Sequence, residues 1–376
     1  MLDRQAQNTQ HPDGWRIRMV GWRNRILGNP GFQRWAAASP FLRPVARARA
    51  GALFDLVAGF AYSQVLLSAV ESGCVERLAA GPCSTSEMAR IAGLSQNAAE
   101  RLLRAAAAIG IAQEVARQGG EAWWMLGRHG AALHGNEGAL AMIRHHRLLY
   151  ADLADPLALL RQDRAEPTHL SRFWTYAAEG AEGDANAYSQ LMAASQAPVV
   201  EQVLAACDLS RHDSLLDVGG GHGAFLRGVA QACPKLRLGL FDLPEVIESA
   251  HESLGESVAL HQGSFFDDDL PRGYDCSSLV RILHDHDDAP AMRLLANIRR
   301  SLEPGGTLLI AEPMAATRGA EAMGDAYFGL YLWAMRSGRP RSAREIQTML
   351  REAGFASSRS IATRQPLITS LIVART

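Results

Sequence analysis

The spacing of apolar residues changes character twice along this 376-residue chain, and each change predicts a different architecture. From 51 to about 135 the pattern is one of helices closed by a hairpin. The stretch "LFDLVAGFAYSQVLLSAV" reads as a buried amphipathic helix. Asp55, Ser63 and Gln64 interrupt it and leave it short of the clean apolar run of about 20 residues that a membrane span needs. "STSEMARIAGLS" opens on a capping Ser or Thr, carries Glu87 close behind and closes at Gly93, and "QNAAERLLRAAAAIGI" is a second helix ending at Gly110. "AQEVARQGGEAWWMLG" then alternates as two strands about a Gly119-Gly120 turn. Helix, turn, helix and β-wing make a winged helix. Residues 136 to 200 are mostly helical and gather Phe173, Trp174, Tyr188 and Met192, rings and a thioether that suit a core or the lining of an apolar ligand pocket. From about 210 onward, apolar strands at "SLLDVG", "LRLGLFD", "VALHQGSF", "SSLVRIL" and "TLLIAE" are separated by helices, which predicts a parallel, doubly wound sheet.

Composition narrows the class. Hydrophobic residues at 48% and charged residues at 20% are ordinary for a soluble globular protein, and the length favours two domains over one. Five scattered cysteines without metal-ligand spacing read as reduced thiols, and no charged start followed by an apolar stretch marks a signal peptide; a cytoplasmic protein is expected. No cluster of His, Cys or carboxylates has the spacing of a metal site. The net charge of −1 conceals an asymmetry: residues 1 to 50 hold nine arginines against Asp3 and Asp13, a local +7, so the remainder totals −8. That arm also holds Trp15, Trp22 and Trp35. Arginine with tryptophan suits a membrane surface or an anionic partner, and a basic arm packed on a second subunit is the other reading.

The winged helix raises nucleic-acid binding, because its second helix stands where a DNA reader would. That helix offers only Arg101 and Arg104 among alanines and leucines, a composition for burial and not for base edges, so no nucleic-acid partner is expected.

The chemistry gathers where such sheets hold ligands, outside the carboxyl ends of the strands. The first strand ends in Gly219, Gly220 and Gly221, the second in Asp242, the third in Ser264 and Phe265, the fourth in His284 and Asp285, the fifth in Glu312. Glycines allow a tight turn and close approach to backbone beside a helix N-terminus. Asp242 follows Gly219 by 23 residues, the separation at which an acid grips ribose hydroxyls. A nucleoside cofactor is expected. The spacing Gly219-x-Gly221-x-x-Ala224 also fits the dinucleotide fingerprint loosely, so NAD stays open on the glycines alone.

The ordered stretches "DVGGGHGAF", "FDLPEVI", "GSFFDD", "LVRILHDHDD", "LEPGGTLLIAEPM" and "AGF" span about 150 residues and resemble the class I S-adenosylmethionine-dependent O-methyltransferases of the plant and acetylserotonin type, the cation-independent branch. The resemblance implies an α/β fold: a Rossmann-like doubly wound methyltransferase domain, its seven-stranded sheet ending in an antiparallel strand, preceded by a helical winged-helix dimerisation domain. The expected division is a basic arm over 1–50, the dimerisation domain over 51–135, a helical linker that helps form the substrate pocket over 136–200, and the cofactor domain over 201–376. A homodimer follows. Gly219, Gly221 and Gly223 would carry the amino-acid part of S-adenosylmethionine, Asp242 with Leu243 would hold the ribose, and Ser264 and Phe265 would flank the adenine. His284 matches the general base and Glu312 the acid that orients it. The chain departs from the pattern in four places. Ser264 replaces an acid, Arg281 stands one position after the place of a basic cofactor contact, His286 replaces an aromatic, and Pro340 replaces a second pocket glutamate.

Within that family, "PFLRPVARARAGALFDLVAGFAYSQVLL", "LVRILHDHDDA" and "AYFGLYLWAMRSGRPRS" are similar to one subgroup, the hydroxyneurosporene (demethylspheroidene) O-methyltransferases of phototrophic bacteria. The resemblance implies methylation of the tertiary 1-hydroxyl of an acyclic carotenoid. A phenolic, polyketide or bacteriochlorophyll-type acceptor would share every cofactor motif. A winged-helix regulator that senses S-adenosylmethionine would keep the glycines without needing His284.

Overall fold

The structure is a computed structural model that describes residues 14–161, 166–173 and 185–376, the last segment with side chains from 195 onward. The arm is helical: α1 (Trp15–Leu27), α2 (Pro30–Ala38) and the start of α3 (Arg43–Glu71). Asn29 caps α2, its side chain accepting the Phe32 N–H at 3.0 Å, with Pro30 at the first helical position. The expected boundary at 50/51 falls inside α3, which runs unbroken through it. The expectation of a buried helix is corrected too. α3 buries only Leu67, Ala69 and Val70 near its C-terminal end, while Leu53, Phe54, Leu56, Val57 and Phe60 are exposed. The reason is length: the winged domain covers only the last turns of a 29-residue rod. By length and composition α3 is also apolar enough to cross a bilayer, which the sequence reading denied; core helices of soluble proteins pass the same test.

Behind α3 lies the winged helix: α4 (Cys74–Ala79), β1 (Cys83–Ser84), α5 (Thr85–Ala92), α6 (Gln96–Ala108), β2 (Ala112–Gln118) and β3 (Glu121–Leu126). The Ser84 side chain accepts the Glu87 N–H and Gly93 closes α5 at φ 66°. Gly119 and Gly120, both at positive φ, make the hairpin turn, and the three strands pair antiparallel in the order β1-β3-β2. Trp124 is buried at the centre and donates from Nε1 to Thr85 Oγ1 at 2.9 Å. α6 turns Ala99, Leu103 and Ala106 into this core, and Arg104 pairs along the helix with Glu100.

Helices α7 (Arg128–Leu133), α8 (Glu137–Asp152), α9 (Pro156–Arg161), α10 (His169–Phe173) and α11 (Ala185–Ala206) then lead to the sheet, α8 packing on both α3 and α11. The sheet's strands and helices follow in turn: β4 (Ser214–Val218), α12 (Ala224–Ala232), β5 (Arg237–Asp242), α13 (Pro244–Leu254), β6 (Val258–Gln262), β7 (Cys276–Val280), α14 (Asp288–Ser301), β8 (Thr307–Glu312), α15 (Gly329–Ala334), α16 (Ala343–Glu352), β9 (Ser357–Ile361) and β10 (Ser370–Arg375). Their spatial order is β6-β5-β4-β7-β8-β10-β9, parallel except that β10 runs antiparallel to both neighbours. The strands are apolar on both faces because two cores sandwich the sheet. One is built with Leu294, Ile298, Ile346 and Leu350, the other with Val203, Phe225, Val229 and Leu254. The order reverses between β4 and β7, so their carboxyl ends open the crevice in which a ligand sits.

Two strands end earlier than their apolar runs. β6 stops at Gln262, and Ser264 and Phe265 lie in the turn beyond. β7 stops at Val280 because Arg281 takes φ 60°, after which Leu283–Asp285 forms a short 3₁₀ turn.

Candidate active site

β4 delivers its glycines at the mouth of the crevice. The missing side chains serve different ends. At Gly219 a Cβ would lie 2.8 Å from Ile282 Cδ1; at Gly220 it would overlap the Asp217 carboxylate, and at Gly223 the Leu254 side chain. Only at Gly221, among the glycines of this loop, does a Cβ position meet open space, and its φ of 58° still favours glycine. Gly219 and Gly223 thus owe their smallness to packing and positive φ, while Gly221 presents bare backbone to the crevice.

Asp242 joins the loop to β5. Its carboxylate accepts the N–H of Gly221 through Oδ2 and that of Leu243 through Oδ1, each at 2.8 Å. Burial pushes its carboxyl up to about 6 against the pull of those two amides. Each oxygen keeps a second lone pair, so the group fits a ribose diol, whose hydroxyls donate. Beneath it, burial raises Asp217 to about 7; the Ser278 hydroxyl, donating to Oδ1 at 2.6 Å, opposes the shift and the charge of Asp242 adds to it.

On the other wall of the crevice stand His284 and Glu312. Glu312 ends β8 with no exposed surface; its Oε2 accepts the His284 backbone N–H at 3.1 Å and lies 3.3 Å from Nδ1. His284 Nε2, the nitrogen left for a substrate, lies 3.1 Å from Asp285 Oδ1. Burial pulls the imidazole down, but Asp285 and Glu312 outweigh it and raise it to about 9. The two carboxylates thus favour the imidazolium, the form that is not yet a base.

The turn that carries His284 is clamped by a residue that sequence reasoning missed. Arg341, with no exposed surface, donates to the carbonyls of Leu283 (2.8 Å) and His286 (2.7 Å) and to Asp288 Oδ1 (2.7 Å). Arg339 N–H donates to the His284 carbonyl at 2.9 Å, and Gly338 at φ 76° passes too close to that carbonyl for any side chain. The available signal was the pair of arginines flanking Pro340 in "SGRPRS".

The remaining predicted residues fall as follows. The Ser264 hydroxyl donates to Asp267 Oδ2 at 2.9 Å and is occupied in its own turn. The Phe265 ring touches the Gly219 backbone side and packs on Phe266 and His286 at 4.6 and 5.6 Å. Arg281 donates to Ser195 Oγ at 2.6 Å, tying β7 to α11. His286 packs edge-on against both Phe265 and Phe266, and burial chiefly lowers its pKa. Phe173 packs on His145 at 4.7 Å. Trp174 lies outside the described residues, as do the side chains of Tyr188 and Met192.

Above His284 stands an aromatic wall that the sequence reading did not single out. Phe328, in a π-helical turn over Ala322–Phe328, lies 5.9 Å from the His284 ring. Tyr327 and Tyr331 pair with two adjacent histidines of α8, His146 Nε2 to Tyr327 Oη at 2.8 Å and His145 Nε2 to Tyr331 Oη at 2.9 Å. Burial lowers both histidines, His145 to about 4, and raises both phenols, so this wall carries no charge at neutral pH. The "HH" inside the apolar pattern of α8 was the available signal.

Among the described residues no group of His, Cys, Asp and Glu could hold a metal ion. What the crevice offers is a diol acceptor, bare backbone, a histidine between carboxylates and an apolar wall: the parts for moving an activated methyl group to a hydroxyl. The O-methyltransferase domain family matches residues 150–356 and the O-methyltransferase dimerisation domain residues 54–134. The chain belongs to this family of S-adenosylmethionine-dependent O-methyltransferases, and its cofactor is S-adenosylmethionine. Its relatives include the demethylspheroidene O-methyltransferase of Rhodobacter capsulatus, 43% identical over 89% of this chain and 84% of that protein. Another is the enzyme of the same name from Cereibacter sphaeroides, 40% identical over 93% of each. Among solved structures, human N-acetylserotonin methyltransferase in complex with S-adenosylmethionine superposes with a TM-score of 0.74 at 25% identity, over 87% of this chain and 97% of that one. The dinucleotide and regulator readings are thereby set aside, and the chain carries the family's dimerisation domain.

Proposed function

We propose that this enzyme methylates the tertiary 1-hydroxyl of an acyclic hydroxycarotenoid, a reading supported by its Rhodobacter and Cereibacter relatives, which are named demethylspheroidene O-methyltransferases. The observation that carries the reading is the uncharged aromatic wall beside His284, which suits a long apolar acceptor with one hydroxyl at its tip. S-adenosylmethionine supplies the methyl group on a sulfonium already activated for displacement. The chain's part is to align and to deprotonate. Asp242, set by the Gly221 and Leu243 amides, would hold the ribose hydroxyls. The acceptor hydroxyl takes the place of Asp285 at His284 Nε2, which removes one of the two anions that hold the ring protonated. The ring gives its Nε2 proton to solvent and, once neutral, takes the hydroxyl proton as the acceptor oxygen is methylated, while Glu312 fixes the tautomer from Nδ1.

Incubating purified protein with methyl-labelled S-adenosylmethionine, a 1-hydroxycarotenoid and a panel of phenols tests the reading. Label in the carotenoid ether is expected; label only in phenols would overturn it. Two copies joined through the dimerisation domain, working in the cytoplasm against the membrane that dissolves the substrate, complete the proposal.

A further inference from the structure

We infer that residues 14–54 form a docking surface for an anionic lipid bilayer. These 41 residues contain eight arginines and no acidic residue, so the rest of a chain with net charge −1 carries −9. α1 buries none of its residues. Trp15, Met19, Trp22 and Ile26 follow one another at spacings of four, three and four, a single stripe along the helix. Arg18 and Arg25 flank the stripe on one side, Arg16 and Arg23 on the other. Trp15 and Trp22 are more than half exposed, and Trp35 on α2 and Phe41 beyond it, 91% exposed, extend the apolar surface. Indole rings between guanidinium groups match the boundary between acyl chains and anionic headgroups.

Charge argues against one form of the rival occupant, arm packed on arm in a second copy, since symmetric packing would bring two +8 segments together. Family coverage argues the same way. Both family domains begin at or after residue 54, so the family's dimerisation region does not include the arm. The match to the Cereibacter relative spans 93% of this chain, more than residues 54–376 can supply, so part of the arm is shared with an enzyme named for a carotenoid.

The test uses the full chain without substrate, so it stands apart from the identity of the acceptor. Co-sedimentation is measured with phosphatidylglycerol–phosphatidylcholine vesicles and with phosphatidylcholine vesicles alone, across a salt series. Binding is expected only to the anionic vesicles and should weaken with salt. Each basic residue near such a surface contributes about fivefold in partitioning. The combined variant R16Q/R23Q/R25Q/R34Q should therefore lose on the order of 10²–10³-fold, and W15A/W22A should lose binding at every salt concentration. Analytical ultracentrifugation should give all three proteins the same oligomeric state. Equal partitioning of wild type and arginine variant would overturn the inference. So would variants that dissociate into monomers while keeping vesicle binding, which would assign the arm to the partner subunit.

Discussion

His284 is held by two carboxylates, and its pH behaviour follows from which of them can leave. Glu312 is fixed by the backbone N–H of the histidine itself, whereas Asp285 touches only the nitrogen that the substrate needs. As the base of the proposed reaction, with its pKa raised to about 9, His284 must first lose a proton, so kcat/KM should climb about tenfold per pH unit from neutral and level off near pH 9. Asp285→Asn removes one of the anions responsible and should move that rise to lower pH, read directly from the profile. His284→Ala should cut turnover by roughly 10²–10⁴-fold with cofactor affinity unchanged. The same shift acts on stability. A histidine whose folded pKa exceeds its unfolded value of about 6.5 contributes fully below that pH and loses the contribution as pH rises through about 9. Asp242→Ala should weaken S-adenosylmethionine binding by about 1.5–3 kcal/mol in calorimetry, the scale of hydrogen bonds to a charged group. These residues stood out in the sequence because each ends a strand. The pairing of Asp285 with Nε2 did not, because it depends on the Arg281 φ of 60° that starts the turn.

At the scale of elements, apolar periodicity revealed the winged helix and the sheet but overran the strands that end at the site. "SSLVRIL" reads as one strand through Leu283, yet β7 ends at Val280 and the apolar Leu283 is buried from a 3₁₀ turn instead. A turn and a strand both bury such residues, so apolar pattern alone could not separate them. What holds the turn is Arg341, more than fifty residues later, and contacts so remote leave no local trace. Arg341→Met would orphan the His286 carbonyl at about 1–3 kcal/mol and leave the Leu283 carbonyl only the His286 N–H at 3.4 Å, a further loss of about 1 kcal/mol. Thermal unfolding should register roughly 2–4 kcal/mol, and the surviving enzyme should lose kcat more than KM for S-adenosylmethionine. Arg341→Lys keeps the charge without the planar fork and should recover only part of both. The aromatic wall was missed for a related reason: Tyr327, Phe328 and Tyr331 stand at ordinary helical spacings, and what marks them out is their pairing with His146 and His145 on a helix far earlier in the chain.

For the whole molecule, α3 is the member whose length matters most. From the buried Leu67 back to Arg43 it rises about 36 Å at 1.5 Å per residue, and its one proline, Pro44, sits in the first turn, where it leaves the helix intact. The arm and the winged domain are therefore two ends of one shaft, and a shaft transmits phase as well as distance. Every residue added turns the arm by about 100° about the axis, so the face that α1 presents is set by the count of residues between them. Two alanines inserted after Gly51, ahead of the dimerisation region and at a position with open space around it, would swing the arm to the opposite side. Four would bring it back to within about 40°, some 6 Å farther out. Methylation of vesicle-borne carotenoid should collapse with two and largely return with four, while detergent-delivered substrate is turned over equally by both. A screw thread behaves this way: the angle at which the arm meets its surface is written in the residue count of α3.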